Sequence, residues 1–419
     1  MTLFGENPFG LRLASALVGI LTVPALYLFV RRIASRRVAW LSAWLLAASY
    51  WHVIFSRAGF RTILAPLFLC LLGWGLARAL ATDRRRDWLV TGLVLGVGWY
   101  TYFAFWGVAA AALLYLAVLA LRKPHRGAAL AVLIALPFLA FWFLGPGGKA
   151  PLGAERIAQT STLRTPFAAN GPVFNVMRTL GMFVVAGDLQ PRHNIPGWPA
   201  WPLLLLPFLG LGMAVAPGRG RWGRLLLALW VLTLLPTIAS DACQHQLRAL
   251  GNVIPTCVLS AYGMVCAAAW LERRKRIAGP RMLGAVLLLN LLFGTYAYFG
   301  AYAHQPALRF AWQAKAVEIA NYLQTDAPRR PVVFINYIYG EKTSDALLRH
   351  HKERRFVRWP ERTPVPAAVA DAPAGTVWIV LPADLRRLAA LRGEPHVMHT
   401  FDAADGTPPW TAVEYGKSR

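Results

Sequence analysis

Ten apolar runs punctuate this chain, at 11–30, 38–56, 61–81, 88–101, 104–121, 127–145, 200–216, 222–239, 250–271 and 281–301. A helix needs about 20 apolar residues to cross a bilayer's hydrocarbon core. Only helices and closed barrels satisfy their own backbone groups there. Most of the runs reach or approach that length, while 88–101 and 104–121 are shorter and read as a pair broken at Thr101–Phe103. Of the 419 residues 57% are apolar, against roughly 45–50% in soluble domains. The bilayer is the expected solvent.

Charge orients the runs. A net charge of +25 would suit a nucleic-acid binder, but the bases fall in short clusters between apolar runs, which suits an anionic membrane surface instead. The connections 31–37, 82–87, 122–126, 217–224 and 272–281 hold four, three, three, three and five bases. The short connections between them carry only Arg57, Arg61 and Arg248. By the positive-inside rule the first set is cytoplasmic. The loop at 146–199, the loop at 240–249 and everything after 302 are then extracytoplasmic, and so is Met1. The first ten residues are too short and polar for a signal peptide. An outer N-terminus therefore leads us to expect a further transmembrane helix upstream of Met1.

Within the runs, Gly92 and Gly96 have the spacing of close helix packing. Pro66, Pro137, Pro207 and Pro236 are expected to kink helices. Cys70, Cys257 and Cys266 read as small core residues, and with Cys243 they show no metal or disulfide spacing. Apolar residues at Val173, Phe174, Val176, Met177, Leu180, Phe183 and Val184 predict a helix lying in the interface over 172–185. After Ala303 the composition changes, dividing the chain into a membrane domain at 1–303 and an α/β domain at 304–419. The pattern predicts helices over 311–323, 344–351 and 384–392, with strands over 331–339 and 376–381.

Polar groups gather between these runs. Residues 187–199, GDLQPRHNIPGWP, place Asp188, Arg192, His193 and Asn194 between two long apolar regions. Residues 240–248 repeat the combination with Asp241, His245 and Arg248. Arg57 and Arg61 stand at another boundary, and Tyr100 and Tyr102 at a third. Unpaired polar groups are costly in such surroundings and persist mainly where they bind something. Arginines also snorkel to lipid headgroups, belt aromatics are common, and a proline-rich loop simply stops helices. Two clusters of acid, imidazole and guanidinium on one side of a membrane are harder to explain that way. Guanidinium pairs with phosphate, so Arg57, Arg61, Arg192, His193, His245 and Arg248 are candidates for a lipid-phosphate site. Tyr100, Tyr102 and Asn194 are candidates for sugar or acceptor contact. A carboxylate would take the proton of an acceptor hydroxyl attacking an anomeric carbon. Arg and His would stabilise the departing lipid phosphate. No cofactor and no dedicated metal cage is expected.

The chain resembles the GT-C membrane glycosyltransferases related to protein O-mannosyltransferases and aminoarabinose transferases (family 39-type). LFGENPFGLRL at 3–13, FSRAGFR at 55–61, GLVLGVGWYTYFAF at 92–105, GDLQPRHNIPG at 187–197 and LPTIASDACQHQLRALGNVIP at 235–255 carry the resemblance. It implies a polytopic α-helical GT-C fold, with the small extracytoplasmic α/β domain appended. The implied activity is inverting transfer of a hexose, mannose included, from a polyprenyl- or dolichyl-phosphate donor to an acceptor protein, lipid or glycan outside the cytoplasm. Such enzymes place their catalytic aspartate in a first outer loop, which here is expected upstream of Met1. Glu6, Asp188 and Asp241 are the acids on the correct side. The alternative is a transporter or flippase of a lipid-linked or anionic solute, against which stand the absence of a detectable internal repeat and charges gathered at one face. A non-catalytic scaffold using the outer domain is a third reading.

Overall fold

The computed structural model describes residues 8–122, 126–144, 171–240, 244–275, 278–326, 330–336, 354–401 and 409–415. Glu6, Asp241, Cys243 and the helix expected over 344–351 lie outside them. The chain divides into two compact units, Met1–Tyr302 and Ala303–Arg419.

All ten apolar runs are helical. The first unit contains α1 (Pro8–Ile33), α2 (Arg36–Ala47), α3 (Tyr50–Arg57), α4 (Leu64–Thr82), α5 (Arg85–Gly98), α6 (Trp106–Arg122) and α7 (Arg126–Leu144). After an undescribed stretch come α8 (Gly171–Gly181), α9 (Leu206–Val215), α10 (Gly220–Leu232), α11 (Leu235–Ile238), α12 (Val253–Arg274) and α13 (Ala278–Thr295), which runs on as a π-helix over Tyr296–Tyr302. Five helices among the described residues are long and apolar enough to cross a membrane, and six if α2 and α3 count as one span broken by a 55° bend. Ser49 makes that break: its hydroxyl accepts the N–H of His52 and starts α3 anew. This is a multi-pass membrane protein.

Its helices expose apolar side chains outward, Ile20, Leu21, Leu114 and Leu133 among them. Lipid is as apolar as leucine, so close packing rather than burial from water holds such a bundle together. A Cβ on Gly212 would lie 1.8 Å from the Leu259 carbonyl, and one on Gly263 1.9 Å from that of Phe208, so α9 and α12 interlock backbone to backbone. Gly92 performs the same task between α5 and α7, against Ala131. Cys70 and Cys257 are buried and Cys266 half-buried, all unpaired. Of the four prolines expected to kink helices, only Pro137 is interior, in α7. Pro207 and Pro236 open α9 and α11 and Pro66 sits in the first turn of α4, where a missing N–H costs nothing. The expected interfacial helix is α8, with Val173 and Met177 exposed and Asn175 Nδ2 donating to the Ile238 carbonyl at 3.2 Å.

The second unit has α14 (Pro306–Ala311), α15 (Ala314–Thr325), β1 (Val332–Ile335), β2 (Arg354–Val357), α16 (Ala367–Ala370), β3 (Val377–Val380), α17 (Pro382–Arg392), β4 (His396–Thr400) and β5 (Thr411–Glu414). The sheet order is β2-β1-β3-β5-β4, with β2, β1 and β3 parallel and β5 and β4 antiparallel additions. The central strands β1 and β3 are buried throughout and were predicted; β2, β4 and β5 were not. The sequences RRFV and HVMHT carry the charge and polarity that edge strands tolerate.

Candidate functional site

The stretch 187–200 folds into a tight loop because its polar groups hold its own backbone. Asn194 Nδ2 donates to the carbonyls of Asp188 (3.2 Å) and Trp198 (2.7 Å), and the Gly187 N–H closes the base of the loop onto Trp198 O at 3.1 Å. A Cβ at Gly187 would lie 2.3 Å from that same Trp198 carbonyl, so no larger residue closes the loop this way. Tyr50, at the start of α3, donates its hydroxyl to the Pro199 carbonyl, and Ala200 N–H bonds Met182 O at 2.7 Å. The loop is thereby fastened to the break between α2 and α3 and to the turn after α8.

Asp188 lies at the centre and is buried. One carboxylate oxygen accepts the Gln190 N–H at 2.8 Å. The other accepts the Gln246 N–H at 3.0 Å and faces Nδ1 of His193 at 3.0 Å and Nδ1 of His245 at 3.7 Å. Burial works to raise this carboxyl; the hydrogen bond from His193, the charges of both imidazoles and the Gln190 N–H outweigh it and hold the group below the ordinary carboxylate range. With those donors in place it is a weak base and a strong anchor. His193 is clamped between Phe55, which stacks on it at 5.8 Å, and His245, whose ring centroid is 4.8 Å away, with Phe60 edge-on at 5.9 Å. The ligand atoms of Asp188, His193 and His245 lie within 4.8 Å of one another. Two imidazoles and one carboxylate are a donor set that a divalent ion such as zinc can take, once the imidazoles turn from the carboxylate they now face.

A second strand of contacts leads away from the loop. The Tyr302 hydroxyl donates to the Arg192 carbonyl at 3.3 Å and its ring stacks on Tyr298 at 5.7 Å. Arg57 in turn lies 5.6 Å from the Tyr298 ring centroid. The π-helix gives these two tyrosines their register, and π-helical turns occur often at functional sites.

The structure thus joins Asp188, His193, Asn194 and His245, with Arg57 linked through Tyr298 and Tyr302 to the backbone carbonyl of Arg192. Arg248 enters through its backbone N–H, 3.0 Å from the His245 carbonyl. Arg61 is exposed where the chain turns into α4. Tyr100 faces α7, its hydroxyl donating to the Phe138 carbonyl at 2.6 Å, and Tyr102 is buried just before α6. Sequence reasoning missed Gln246, Tyr298 and Tyr302. Gln246 stood inside a quoted motif. The tyrosines sit where the last apolar run ends, in YAYFGAY, and a Tyr-x-x-x-Tyr pair at helical spacing was the available signal.

The crystal structure of ArnT from Cupriavidus metallidurans in the apo state superposes on this chain with a TM-score of 0.54 at 14% identity, covering 98% of this chain and 84% of that one. The chain has the GT-C fold. Residues 1–142 match the family model described as dolichyl-phosphate-mannose-protein mannosyltransferase. Among curated proteins, undecaprenyl phosphate-alpha-4-amino-4-deoxy-L-arabinose arabinosyl transferase 2 of Pseudomonas fluorescens (strain Pf0-1) is 28% identical over 318 residues, 71% of this chain. The corresponding arabinosyl transferase of Pseudomonas aeruginosa (strain UCBPP-PA14) is 25% identical over 396 residues, 83% of this chain. The chain spans 52% and 66% of those two relatives' own lengths.

Proposed function

We propose that this chain is a membrane glycosyltransferase that moves a sugar from a polyprenyl- or dolichyl-phosphate carrier to an acceptor outside the cytoplasm. The observation that carries the reading is the Asp188–His193–His245 cluster, in which two buried residues of the 187–200 loop meet half-buried His245 of the 244–249 stretch and link through Tyr302 and Tyr298 to Arg57. Imidazoles held in a mostly buried cluster, with a guanidinium at its edge, are suited to stabilise a departing lipid phosphate. In this reading Asp188 orients His193, since three hydrogen bonds already converge on its carboxylate. Glu6 and Asp241 remain the candidates for that base.

The mannosyltransferase family model over residues 1–142 favours a hexose donor, mannose included; the arabinosyl relatives make an aminoarabinose the competing headgroup. The loop at 187–199 and the unit after 302 lie on the extracytoplasmic side in this reading, the side opposite the basic connections. The acceptor is a protein, lipid or glycan reached there.

The test incubates the purified chain in sealed proteoliposomes with polyprenyl-phosphate hexoses and polyprenyl-phosphate aminoarabinose, and measures release of polyprenyl phosphate. Release from one donor, lowered at least tenfold in His193→Ala, is the expected outcome. No release from either donor, together with movement of the intact lipid across the bilayer, would replace transfer with flipping.

A further inference from the structure

A buried amide without a partner stands in the middle of the last apolar run. Asn290 follows Leu289 and precedes Leu291 in α13 and is 1% exposed. Among the described residues neither its Nδ2 nor its Oδ1 finds a hydrogen-bond partner. An amide buried in apolar surroundings costs free energy until something pairs with it. A polar group kept inside a membrane span is kept mainly for what it binds.

Asn290 lines a cavity of about 530 Å³ beside α13, where the 187–200 loop passes into α9. Trp201 lines it too, and its indole N–H is likewise buried without a partner. Trp198 and Phe293 supply an aromatic wall, their rings stacked at 6.0 Å. Leu203, Leu204 and Leu289 form another wall and are exposed, so the cavity opens toward the lipid-facing surface. None of the described lining residues is charged. A fitting occupant is therefore largely apolar, enters from lipid and brings a neutral hydrogen-bonding group. Asn290 offers a donor and an acceptor, and Trp201 a donor. The two donors match the ester carbonyls where the acyl chains of a glycerolipid begin, and the Asn290 Oδ1 is left to a water entering with the lipid. A phosphate or ammonium group would lose its hydration here with no opposite charge to meet it. The polar side chain of a neighbouring helix fits less well, because Asn290 lies beneath the surface rather than on it.

We propose that this cavity binds a diacyl glycerolipid of the surrounding membrane, with Asn290 and Trp201 turning into it to hold an ester carbonyl. The acyl chain runs out over Leu203, Leu204 and Leu289. The bound lipid braces the loop from behind. Trp198 carries the carbonyl that accepts the Gly187 N–H and the Asn194 amide, and the next carbonyl, of Pro199, accepts the Tyr50 hydroxyl. Occupancy thus steadies the segment that holds Asp188 and His193 without touching either.

The test uses the purified full chain, stripped of lipid in detergent, and reads binding by native mass spectrometry and by thermal unfolding. Diacyl phosphatidylglycerol and diacyl phosphatidylethanolamine are compared with the diether analogue of the first, which keeps the headgroup and chain length and lacks the ester carbonyls. Both ester lipids should fill one saturable site and raise the unfolding temperature. The diether should bind about threefold to tenfold more weakly, as loss of one neutral hydrogen bond does. Asn290→Leu and Trp201→Phe should each abolish that preference. Without lipid, Asn290→Leu should unfold no earlier than the wild type, since it removes an unpaired amide, so that its weaker lipid binding is separated from misfolding. Equal binding of ester and ether lipids by the wild type, or an ester preference kept in Asn290→Leu, overturns the site. Binding of phosphatidylglycerol alone overturns the ester assignment in favour of headgroup charge, and a dimer that Asn290→Leu dissociates puts a second copy of the chain in the lipid's place.

Discussion

Asp188 in the membrane unit and Asp384 in the α/β unit are almost equally buried, at 7% and 5% exposed, yet their carboxyls move in opposite directions. Burial raises both. Asp384 receives the Asn336 amide at 2.9 Å and Arg387 at 3.4 Å, with Glu361 acting against them, and ends above the ordinary carboxylate range. Asp188 receives two backbone N–H groups and faces two imidazoles, and ends below it. Burial depth therefore does not decide the state of a carboxylate; the number and charge of donors aimed at it do. The loop supplies Gln190 N–H and His193 and the 244–249 stretch adds Gln246 N–H and His245, whereas Asp384 at the start of α17 is met mainly by side chains.

Removing each acid should separate the two settings most sharply. Asp188→Ala leaves imidazoles and backbone N–H groups buried without their acceptor, and should lower unfolding stability by about 3–5 kcal/mol, read from thermal or denaturant unfolding in detergent. A loss no larger than that of an exposed residue would mean the cluster is not the anchor described here.

Acid should then pull the two sites apart. The depressed Asp188 carboxyl contributes stability that is present above the ordinary value of about 3.9 and is lost as pH falls through its lower folded value. The raised Asp384 carboxyl has the opposite sign: its charge opposes folding at neutral pH, and that cost is relieved as pH falls through its raised value. Hydrogen exchange should show the Gln190 and Gln246 amides losing protection on acidification, with no such loss at the Trp359 amide, which bonds Asn336 beside Asp384. The same response at both places would erase the contrast.

Two smaller substitutions refine it. Tyr50→Phe removes the hydrogen bond to the Pro199 carbonyl and should cost about 1 kcal/mol, with faster exchange confined to the loop. Asp384→Asn keeps the shape and removes the charge, and should change the stability of its unit by less than about 1 kcal/mol, seen in the far-ultraviolet melt. A larger loss there would make Asp384 as much an anchor as Asp188.

The helices were legible because a bilayer imposes a length and an apolar composition that no local detail overrides. Strands β1 and β3 were legible for a similar reason, being buried on both faces and apolar throughout. Strands β2, β4 and β5 take their conformation from neighbours in the sheet; RRFV and HVMHT look like surface chain until a partner strand is supplied. The prolines show the limit of a residue rule. Pro207 and Pro236 were read as interruptions of continuous runs, and they stand instead in the first turns of α9 and α11. In the site, Asp188, Arg192, His193 and Asn194 stood out in sequence because polarity between apolar runs is conspicuous. Tyr298 and Tyr302 did not, since each resembles an ordinary boundary residue until α3, the loop and the π-helix come together.

Composition and charge order alone determined that this chain lives in a bilayer, where its helices run, and that its acids and imidazoles cluster in connections rather than in spans. Tertiary structure alone decided which of those groups meet. Residues 188 and 245, or 57 and 298, become neighbours only when the elements that carry them pack side by side. The reason is one of range: the solvent acts on every residue where it stands in the chain, while hydrogen bonds and ion pairs act over a few ångströms and depend on which helix lies beside which.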